Sequence, residues 1–367
     1  MIYAFLLFIN TLLYSNDQSA INKRYSNVPS QAKSYYDLQR SLPSGFVTDG
    51  SIDYTAYIQQ AISQYDHVRF PGFPLLINDK GLKVGSNKTL YFEKGSEIRL
   101  KPSLKKGYNI FDLRKVKNVQ LIDPVIKGDR NTHLGKTGEW GMGIGIYSSE
   151  NIKIVNAKVY DCWGDGIYIG KSEGNTNRNI EIINAFCKNN RRDGISIISV
   201  NGLLLDAPYA GYSNGTAPMA GINIEPNDPE DEVKNIRIIN PKTEYNNGAG
   251  ISVGISKLYG KKDKNVSIEI QNHTDKRSNI GFKSSCYPKR KLGTEEIKGQ
   301  IIISNPTWIE NQRFPIQTAL FQKDLLLKIY KPTILTLNGK SLSEGSMKKI
   351  LATKGHINSH ANYSVTY

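Results

Sequence analysis

Apolar and polar residues alternate in short stretches along the middle of the chain, and these stretches repeat. The segment NIKIVNAKVYDCWGDGIYIG, residues 151–170, aligns without a gap with NIEIINAFCKNNRRDGISII, residues 179–198. Each begins at an Asn, alternates through an apolar run, breaks at a polar corner and resumes at Gly-Ile. Alternation with a period of two predicts β-strands, and a gapless repeat predicts one structural unit used again.

The same unit recurs at uneven spacing. Its Asn-led strands start at 118, 151, 179, 201 and 235, with weaker copies at 87 and 265. The strands keep their length while the loops vary. Two short strands in a unit as short as 22 residues suit neither helical solenoids nor propeller blades, and they predict an all-β parallel β-helix whose coils stack. The corner Asn residues are expected to form ladders and to bond turn backbone.

The ends of a stack of coils expose unpaired strand edges, which need caps. Ahead of the first coil, Tyr57, Ile58, Ala61 and Ile62 share one face at helical spacing. This spacing predicts a short N-terminal capping helix.

The domain plan follows from the extent of the repeat. We expect the β-helix to occupy residues 45–335 and the polar residues 336–367 to form a peripheral tail. The apolar run at 2–14 is typical of a signal peptide within residues 1–20, although no Lys or Arg precedes it. The sequence thus predicts a secreted or periplasmic protein without a membrane span in the mature chain.

The composition narrows the class of partner. The chain has 48 Lys and Arg against 33 Asp and Glu, a net charge of +15. This balance fits a generic basic surface, an acidic polymer such as a uronic-acid or sulfated glycan, or nucleic acid. Nucleic acid is disfavoured because the chain has neither a run of five Lys or Arg nor an aromatic RNA-reading motif. The three cysteines are expected to be free and buried, and no Cys or His spacing indicates a zinc site.

Several stretches resemble a known group. FVTDGSIDYTAYIQQAI, VRFPG and SNKTLYFEKGSEIRL resemble the start of the pectate-lyase-like right-handed parallel β-helix superfamily, which includes polygalacturonase-type hydrolases, polysaccharide lyases and phage depolymerases. GEWGMGI, GDGIYIG, NRRDGISI and GTAPMAGINIEPN resemble signatures of bacterial members. The resemblance covers roughly residues 45–310 and implies a right-handed β-helix that acts on carbohydrate. It does not specify the reaction, because this fold hosts several activities.

Two carboxylates occupy equivalent places in consecutive repeats. Asp165 and Asp193 each precede the Gly that opens a strand, so we expect them to be neighbours at the rim of an exposed sheet, with strands roughly 4.8 Å apart. Paired carboxylates suit glycoside hydrolysis, and the resemblance to polygalacturonase-type enzymes implies catalytic roles for both. Gly-His-Gly and Arg-Ile-Lys of those enzymes are absent. The alternative is that each Asp only bonds turn amides.

Two insertions are expected to form walls on opposite sides of the site. The first, between Asp123 and Met142, carries Glu139 as a further catalytic candidate beside an aromatic platform. The second, after Asp206, is expected to form the opposite wall with its tyrosines, Tyr209 and Tyr212. The side chains expected to contact the substrate are His133, Trp140, Tyr168, Arg191, Arg192, Asn223, Glu225 and Asn227.

Three functions fit these residues. The preferred one is a secreted glycoside hydrolase without a cofactor, in which Asp165 works with Asp193 or Glu139 on an acidic or complex polysaccharide. The second is a polysaccharide lyase or uronate epimerase, with Arg192 or His133 as base and carboxylates available for Ca²⁺. The third is a non-catalytic glycan-binding β-helix. A catalytic function is preferred because acids, bases and aromatic residues gather around one sheet face.

Overall fold

A computed structural model of the chain describes residues 34–260, 262–287, 296–320, 322–336, 338–354 and 362–367. The β-helix lies within residues 37–367. The expected signal peptide at 1–20 lies outside the described residues.

Three parallel sheets form the walls of the β-helix, and each full coil contributes one strand to each sheet. From His67 onward, the strands of the first sheet are His67–Phe70, Thr89–Phe92, Lys117–Ile122, Glu150–Val155, Asn177–Ile183, Val200–Asp206, Val233–Ile239, Lys264–Gln271, Ile297–Ser304, Leu325–Tyr330 and Tyr363–Thr366. Those of the second sheet are Pro74–Ile77, Glu97–Leu100, Val125–Lys127, Lys158–Tyr160, Phe186–Lys188, Tyr209–Gly211, Lys242–Glu244, Thr274–Lys276, Thr307–Ile309 and Thr333–Leu335. Those of the third sheet are Leu82–Lys83, Gly107–Arg114, Trp140–Tyr147, Ile167–Gly170, Ile195–Ile197, Ile222–Ile224, Ala249–Gly254, Ile280–Cys286 and Phe314–Leu320. The predicted fold class, a right-handed parallel β-helix, is confirmed.

The core is built from aligned aliphatic columns. In the third sheet, Ile144, Ile167, Ile195, Ile222 and Ile251 pair in register on successive coils, and each is fully buried. The alternation seen in the sequence therefore places the same apolar position of every repeat inside the coil.

Asparagine ladders stabilise the corner between the first and second sheets. Asn156 has φ 55° and Asn184 has φ 54°, a left-handed conformation that Asn adopts more readily than most residues. The Nδ2 of Asn184 donates to Asn156 Oδ1 at 2.8 Å, and the Nδ2 of Asn156 donates to Asp123 Oδ1 at 2.7 Å. The prediction that corner Asn residues form ladders is confirmed.

The repeat has three strands rather than the two that the sequence predicted. The strand Lys158–Tyr160 follows the corner at Asn156 and belongs to a separate second sheet. Only Val159 of this strand is buried. One inward residue shows no alternation, so the pattern along the chain could not reveal the strand.

A helix precedes the coils, as expected. It spans Thr55–Gln64 and buries Ile58, Ala61 and Ile62 completely. Tyr57 was assigned to the same face, which is wrong, because its side chain is 40% exposed. Two 3₁₀ turns, Leu38–Ser41 and Ser256–Leu258, complete the helical elements before the tail.

The tail is not peripheral, which corrects the expectation for residues 336–367. Its strand Tyr363–Thr366 pairs with Leu325–Tyr330 and extends the first sheet. The helix Glu344–Lys354 buries Leu351. Burial of these apolar groups gives the tail a structural role at the C-terminal end of the first sheet.

Candidate functional site

The side chain of Arg192 is the centre of a cluster of carboxylates at the start of the third sheet. Its Nη1 lies 3.1 Å from Asp165 Oδ2 and 3.0 Å from Asp193 Oδ2. Its Nη2 lies 2.9 Å from Glu225 Oε2, and its Nε lies 3.8 Å from Glu139 Oε2. One guanidinium thus contacts carboxylates from four coils or loops, a geometry that the planar donor fork of Arg allows.

The two aspartates lie on consecutive coils but are not at the exposed rim, so that expectation is wrong. Both Asp165 and Asp193 are fully buried. The backbone N–H of Asp193 donates to Asp165 Oδ1 at 2.9 Å, and that of Ala220 donates to Asp193 Oδ1 at 2.7 Å. Arg192, with only 12% of its side chain exposed, bonds to both carboxylates.

The burial changes the protonation of the aspartate pair. Burial raises the pKa of Asp165, and burial together with the charge of Asp165 raises the pKa of Asp193. Burial alone would lower the pKa of Arg192, but the charges of Asp165, Asp193 and Glu225 raise it above its ordinary value. Arg192 therefore stays cationic, and the buried pair favours holding a proton.

The accessible carboxylates of the cluster are Glu139 and Glu225. Their side chains are 34% and 30% exposed. Glu225 also accepts a hydrogen bond from Asn223 Nδ2 at 2.7 Å. Arg192 Nε is buried and has no hydrogen-bond partner among the described residues, and the nearest carboxylate oxygen to it is Glu139 Oε2 at 3.8 Å.

Tyr168 and Asn223, two side chains expected to contact substrate, lie with Ser196 in one column of the third sheet, where they pair across successive strands. Ser196 and Asn223 are nevertheless buried, and both bond to Asp193 Oδ2, at 3.0 and 3.1 Å. The Asn223 amide therefore holds the carboxylates of Asp193 and Glu225 in place, and it is not free to bind a substrate. Ser196 was not singled out as a site residue, although its column position could have revealed it.

Beyond the column, Tyr168 and Asn227 border the cluster. Tyr168 is half-buried beside Tyr147, with ring centroids 5.6 Å apart. The amide of Asn227, which is exposed, lies 3.4 Å from the Tyr168 hydroxyl. Substrate binding by Tyr168 and Asn227 stays a prediction.

The first insertion is held down by a buried polar group, and His133 belongs to that group. The His133 side chain is fully buried, its Nδ1 lies 2.8 Å from Asp129 Oδ2, and its ring stacks on Trp163 at 3.9 Å. Tyr108 donates its hydroxyl proton to the other oxygen of Asp129. The expectation that His133 contacts substrate is therefore wrong for this structure.

The Arg191 side chain also contacts the first insertion. Its guanidinium lies 3.9 Å over the Trp163 ring, and its Nη1 donates to the Gly138 carbonyl at 2.6 Å. Arg192 is not free to bind a substrate carboxylate as expected, because the chain's own acids surround its guanidinium, whereas substrate binding by Arg191 stays a prediction. The fixed insertion presents Trp140, which is 55% exposed, next to Glu139.

The tyrosines of the second insertion do not line the opposite wall, which corrects that expectation. Tyr209 lies in the second sheet, where it stacks on Phe186. Tyr212 follows that strand and stacks on Tyr245. Both tyrosines thus belong to a different side of the β-helix from Arg192.

Within the described ranges, no group of three or more His, Cys, Asp or Glu side chains is arranged to hold a metal ion. The same ranges contain no helix with the length and apolarity needed to cross a bilayer. The three cysteines are free and buried, as expected.

Two curated bacterial proteins are similar to the chain in sequence. It is 29% identical over 274 residues to the uncharacterized protein YclG of Bacillus subtilis strain 168, a match covering 65% of this chain and 46% of that protein. It is 29% identical over 164 residues to the SPbeta prophage-derived uncharacterized protein YorA of the same strain, covering 40% and 28%. The chain spans less than half the length of these relatives. No family model matches it.

Solved structures with the same fold come from phages and a polysaccharide-modifying enzyme. The pre-mature gene product 12 of bacteriophage phi29 superposes with a TM-score of 0.62 at 15% identity, over 82% of this chain and 45% of that chain. The tailspike of E. coli bacteriophage HK620, in complex with a pentasaccharide, gives 0.62 at 12% identity, over 83% and 58%. The A-module of the Azotobacter vinelandii mannuronan C-5 epimerase AlgE6 gives 0.55 at 15%, over 82% and 87%. The three parallel sheets and these superpositions show that the chain has a right-handed parallel β-helix fold.

Proposed function

We propose that the chain is a glycoside hydrolase that cleaves a polysaccharide over the start of the third sheet. The observation that carries this proposal is the placement of two accessible carboxylates, Glu139 and Glu225, on one guanidinium. Because both contact Arg192, their contacting oxygens are at most roughly 9 Å apart, a spacing that suits a glycosidic bond and a water between paired acids.

The surroundings of the two glutamates suggest their roles. Glu225 accepts hydrogen bonds from Arg192 and Asn223, as an ionised carboxylate does, and this suits a base or nucleophile. Glu139 makes a longer contact, at 3.8 Å to Arg192 Nε, which suits the acid that protonates the leaving oxygen. Asp165 and Asp193, the pair that the sequence nominated, hold Arg192 from beneath.

The two residues expected to act as base in a lyase or epimerase, Arg192 and His133, are poorly suited to that role. Proton abstraction requires a group that loses its own proton near neutral pH. The pKa of Arg192 moves the wrong way, upward. His133 is buried and bonded to Asp129, so it cannot reach a sugar in this structure.

The substrate is proposed to be an anionic polysaccharide outside the cell. The net charge of +15 supports an acidic polymer, and exposed Trp140 supplies a flat apolar surface for a sugar ring. The HK620 tailspike binds a pentasaccharide and AlgE6 is a mannuronan epimerase, which supports a carbohydrate ligand for this fold. Arg192 is already neutralised, so the acidic groups of the polymer are expected to bind elsewhere.

The test is a screen against uronate-containing, sulfated and bacterial envelope polysaccharides. New reducing ends and absorbance from unsaturated uronate are followed together, with and without EDTA. The proposal predicts reducing ends without absorbance, unchanged by EDTA. Absorbance would indicate a lyase, and binding to a polysaccharide without any product would indicate a binding protein.

A further inference from the structure

The outer surface of the second sheet carries alternating lysines and aromatic rings on consecutive strands. Along one column Tyr160 pairs in register with Lys127 on one side and Lys188 on the other. Along the next column Lys158 pairs with Phe186. Together with Tyr212, these residues form what we call the basic–aromatic face. It lies on a different sheet from Arg192 and its carboxylates.

A cavity of about 270 Å³ opens on this face. Its lining consists of Tyr160, Asp161, Phe186, Lys188, Asn189 and Tyr212. Its volume lies near the lower end of the range for small-molecule pockets. The cavity therefore suits a ring-sized group of a polymer that continues along the surface.

The rings of the cavity are held rigidly. Phe186 stacks on Tyr209 with centroids 4.5 Å apart and planes at 8°. Tyr212 stacks on Tyr245 with centroids 5.1 Å apart. The hydroxyl of Tyr160 donates to Glu97. Rings fixed in this way bind a ligand at a low cost in conformational entropy.

The lysines of this face supply positive charge. Lys127, Lys158 and Lys188 are exposed, and none forms an ion pair with another described residue. The ammonium of Lys188 lies 4.8 Å over the Tyr212 ring, at the cavity. A ligand that combines apolar ring faces with negative groups would complement both features of the face.

We propose that the basic–aromatic face binds an anionic polysaccharide, with a pyranose ring against Phe186 and Tyr212 and its carboxylate or sulfate beside Lys188. The inference rests on the proposed function only in taking a polysaccharide as ligand. It assigns the acidic groups of the polymer to a site separate from the cleavage site.

The test is affinity electrophoresis in gels containing polygalacturonate, heparin or neutral dextran. Wild type should be retarded by at least one polyanion and not by dextran. Phe186→Ala and Lys188→Gln should each weaken that binding about fivefold. The control Lys153→Gln removes the same charge from the outer surface of the first sheet and should bind like wild type. Thermal unfolding of each variant separates lost binding from lost folding.

Other outcomes would overturn the inference. Equal binding by wild type, Phe186→Ala and Lys188→Gln would do so, as would tighter binding to duplex DNA than to any glycan. A dimer seen by light scattering that Phe186→Ala dissociates would assign the face to a second copy of the chain. The variant Glu139→Gln should lose cleavage and keep binding. If no variant or wild type ever cleaves, while Phe186→Ala still weakens polyanion binding, the proposed hydrolase fails and this face stands.

Discussion

Two of the clusters that bury a carboxylate in this β-helix differ in what surrounds it. At the third sheet, Asp165 and Asp193 lie under Arg192, which leads to accessible Glu139 and Glu225. At the second sheet, Asp275 is fully buried and no ion pair with Lys or Arg is formed by it in the described part of the chain.

The second cluster is sealed by neutral donors. Asp275 accepts hydrogen bonds from Thr243 Oγ1 at 2.6 Å, Ser278 Oγ at 2.7 Å and Asn311 Nδ2 at 2.5 Å. Thr243 also bonds to His273 Nε2 at 2.8 Å. Since the Thr243 proton goes to Asp275, the contact with His273 requires the proton on Nε2. All groups but part of Asn311 are hidden from solvent, so this cluster suits a structural role.

The comparison shows that a buried acid alone does not identify a reaction centre. Both sites contain aspartates whose pKa is raised by burial. Only the Arg192 cluster joins its buried acids to carboxylates that solvent reaches. Perturbed pKa values are found at functional sites and in structural networks alike, and access to solvent separates the two here.

The largest expected effect concerns the accessible acids. Glu139→Gln and Glu225→Gln should each lower the rate of polysaccharide cleavage by about 10²–10⁴-fold, because general acid and base groups contribute that much. Stability should change little, since Gln keeps the shape. Cleavage rates are compared with Glu181→Gln, an exposed acid on the first sheet, which should retain wild-type activity. Full activity in both Glu139→Gln and Glu225→Gln would contradict a catalytic role for the Arg192 cluster, and the contrast with the Asp275 cluster would lose its meaning.

Replacing Arg192 should reveal the free-energy cost of burying Asp165 and Asp193. Arg192→Met leaves Asp165 and Asp193 without a counter-charge, and we expect a loss of about 3–5 kcal/mol in the free energy of unfolding at pH 8. The loss should shrink at pH 5, because burial raises the pKa of both carboxyl groups and so favours their neutral forms at lower pH. Urea unfolding measures it, with Arg69→Met, whose side chain is 42% exposed, expected to lose less than about 1 kcal/mol. A loss that is equal at both pH values would contradict this account.

In the cluster around Asp275, the contributions of Asp275 and His273 to the free energy of unfolding should change with pH in opposite directions. Burial raises the pKa of Asp275 to about 7, so its contribution to stability is full below about pH 4 and is lost as the pH rises to about 7. Burial lowers the pKa of His273 to about 3, so its contribution is full above about pH 6.5 and is lost as the pH falls towards 3.

Single variants should therefore separate these slopes. Between pH 4.5 and 6.5, Asp275→Asn should make stability rise more steeply with pH than in wild type. Over the same range, His273→Gln should make stability rise less steeply with pH than in wild type. Each change should approach about 1.4 kcal/mol per pH unit at most. Urea unfolding at the two pH values measures it, and a change of the same sign in both variants would refute the assignment.

The smallest expected effect concerns the aromatic platform. Trp140→Ala should weaken substrate binding about fivefold, because a ring surface is lost. Its exposure of 55% predicts little change in the melting temperature. Leu134→Ala is the matched control, since Leu134 is 61% exposed on the same insertion. Isothermal titration with substrate fragments on an inactive Glu139→Gln background gives the affinities, and equal weakening by both variants would remove the role of Trp140.

The sequence was sufficient to predict how the coils stack, but it was not sufficient to predict which residues surround the candidate site. The repeat placed Asp165 and Asp193 on adjacent coils because every coil keeps the same strand length. Their burial depends on where Arg192 turns and on how the first insertion folds. That insertion is fixed by contacts between distant residues, such as Arg130 Nη2 with the Asn214 carbonyl at 2.7 Å, which no local pattern records.

The short second sheet shows a similar limit. Strands such as Phe186–Lys188 have one inward residue, so periodicity could not separate them from loops. Without that sheet, Tyr209 and Tyr212 were placed in the wrong wall. An alternating pattern predicts strands only where at least two inward positions occur.

The central claim is that the Arg192 cluster directs water to a glycosidic bond through Glu139 and Glu225. Mass spectrometry of products formed in ¹⁸O-labelled water tests it most directly, using the polysaccharide that gives reducing ends. Hydrolysis predicts one ¹⁸O atom at each new reducing end with wild type, and almost no product with Glu139→Gln. Products that carry no ¹⁸O but an unsaturated terminal sugar, or undiminished labelling with Glu139→Gln, would contradict it.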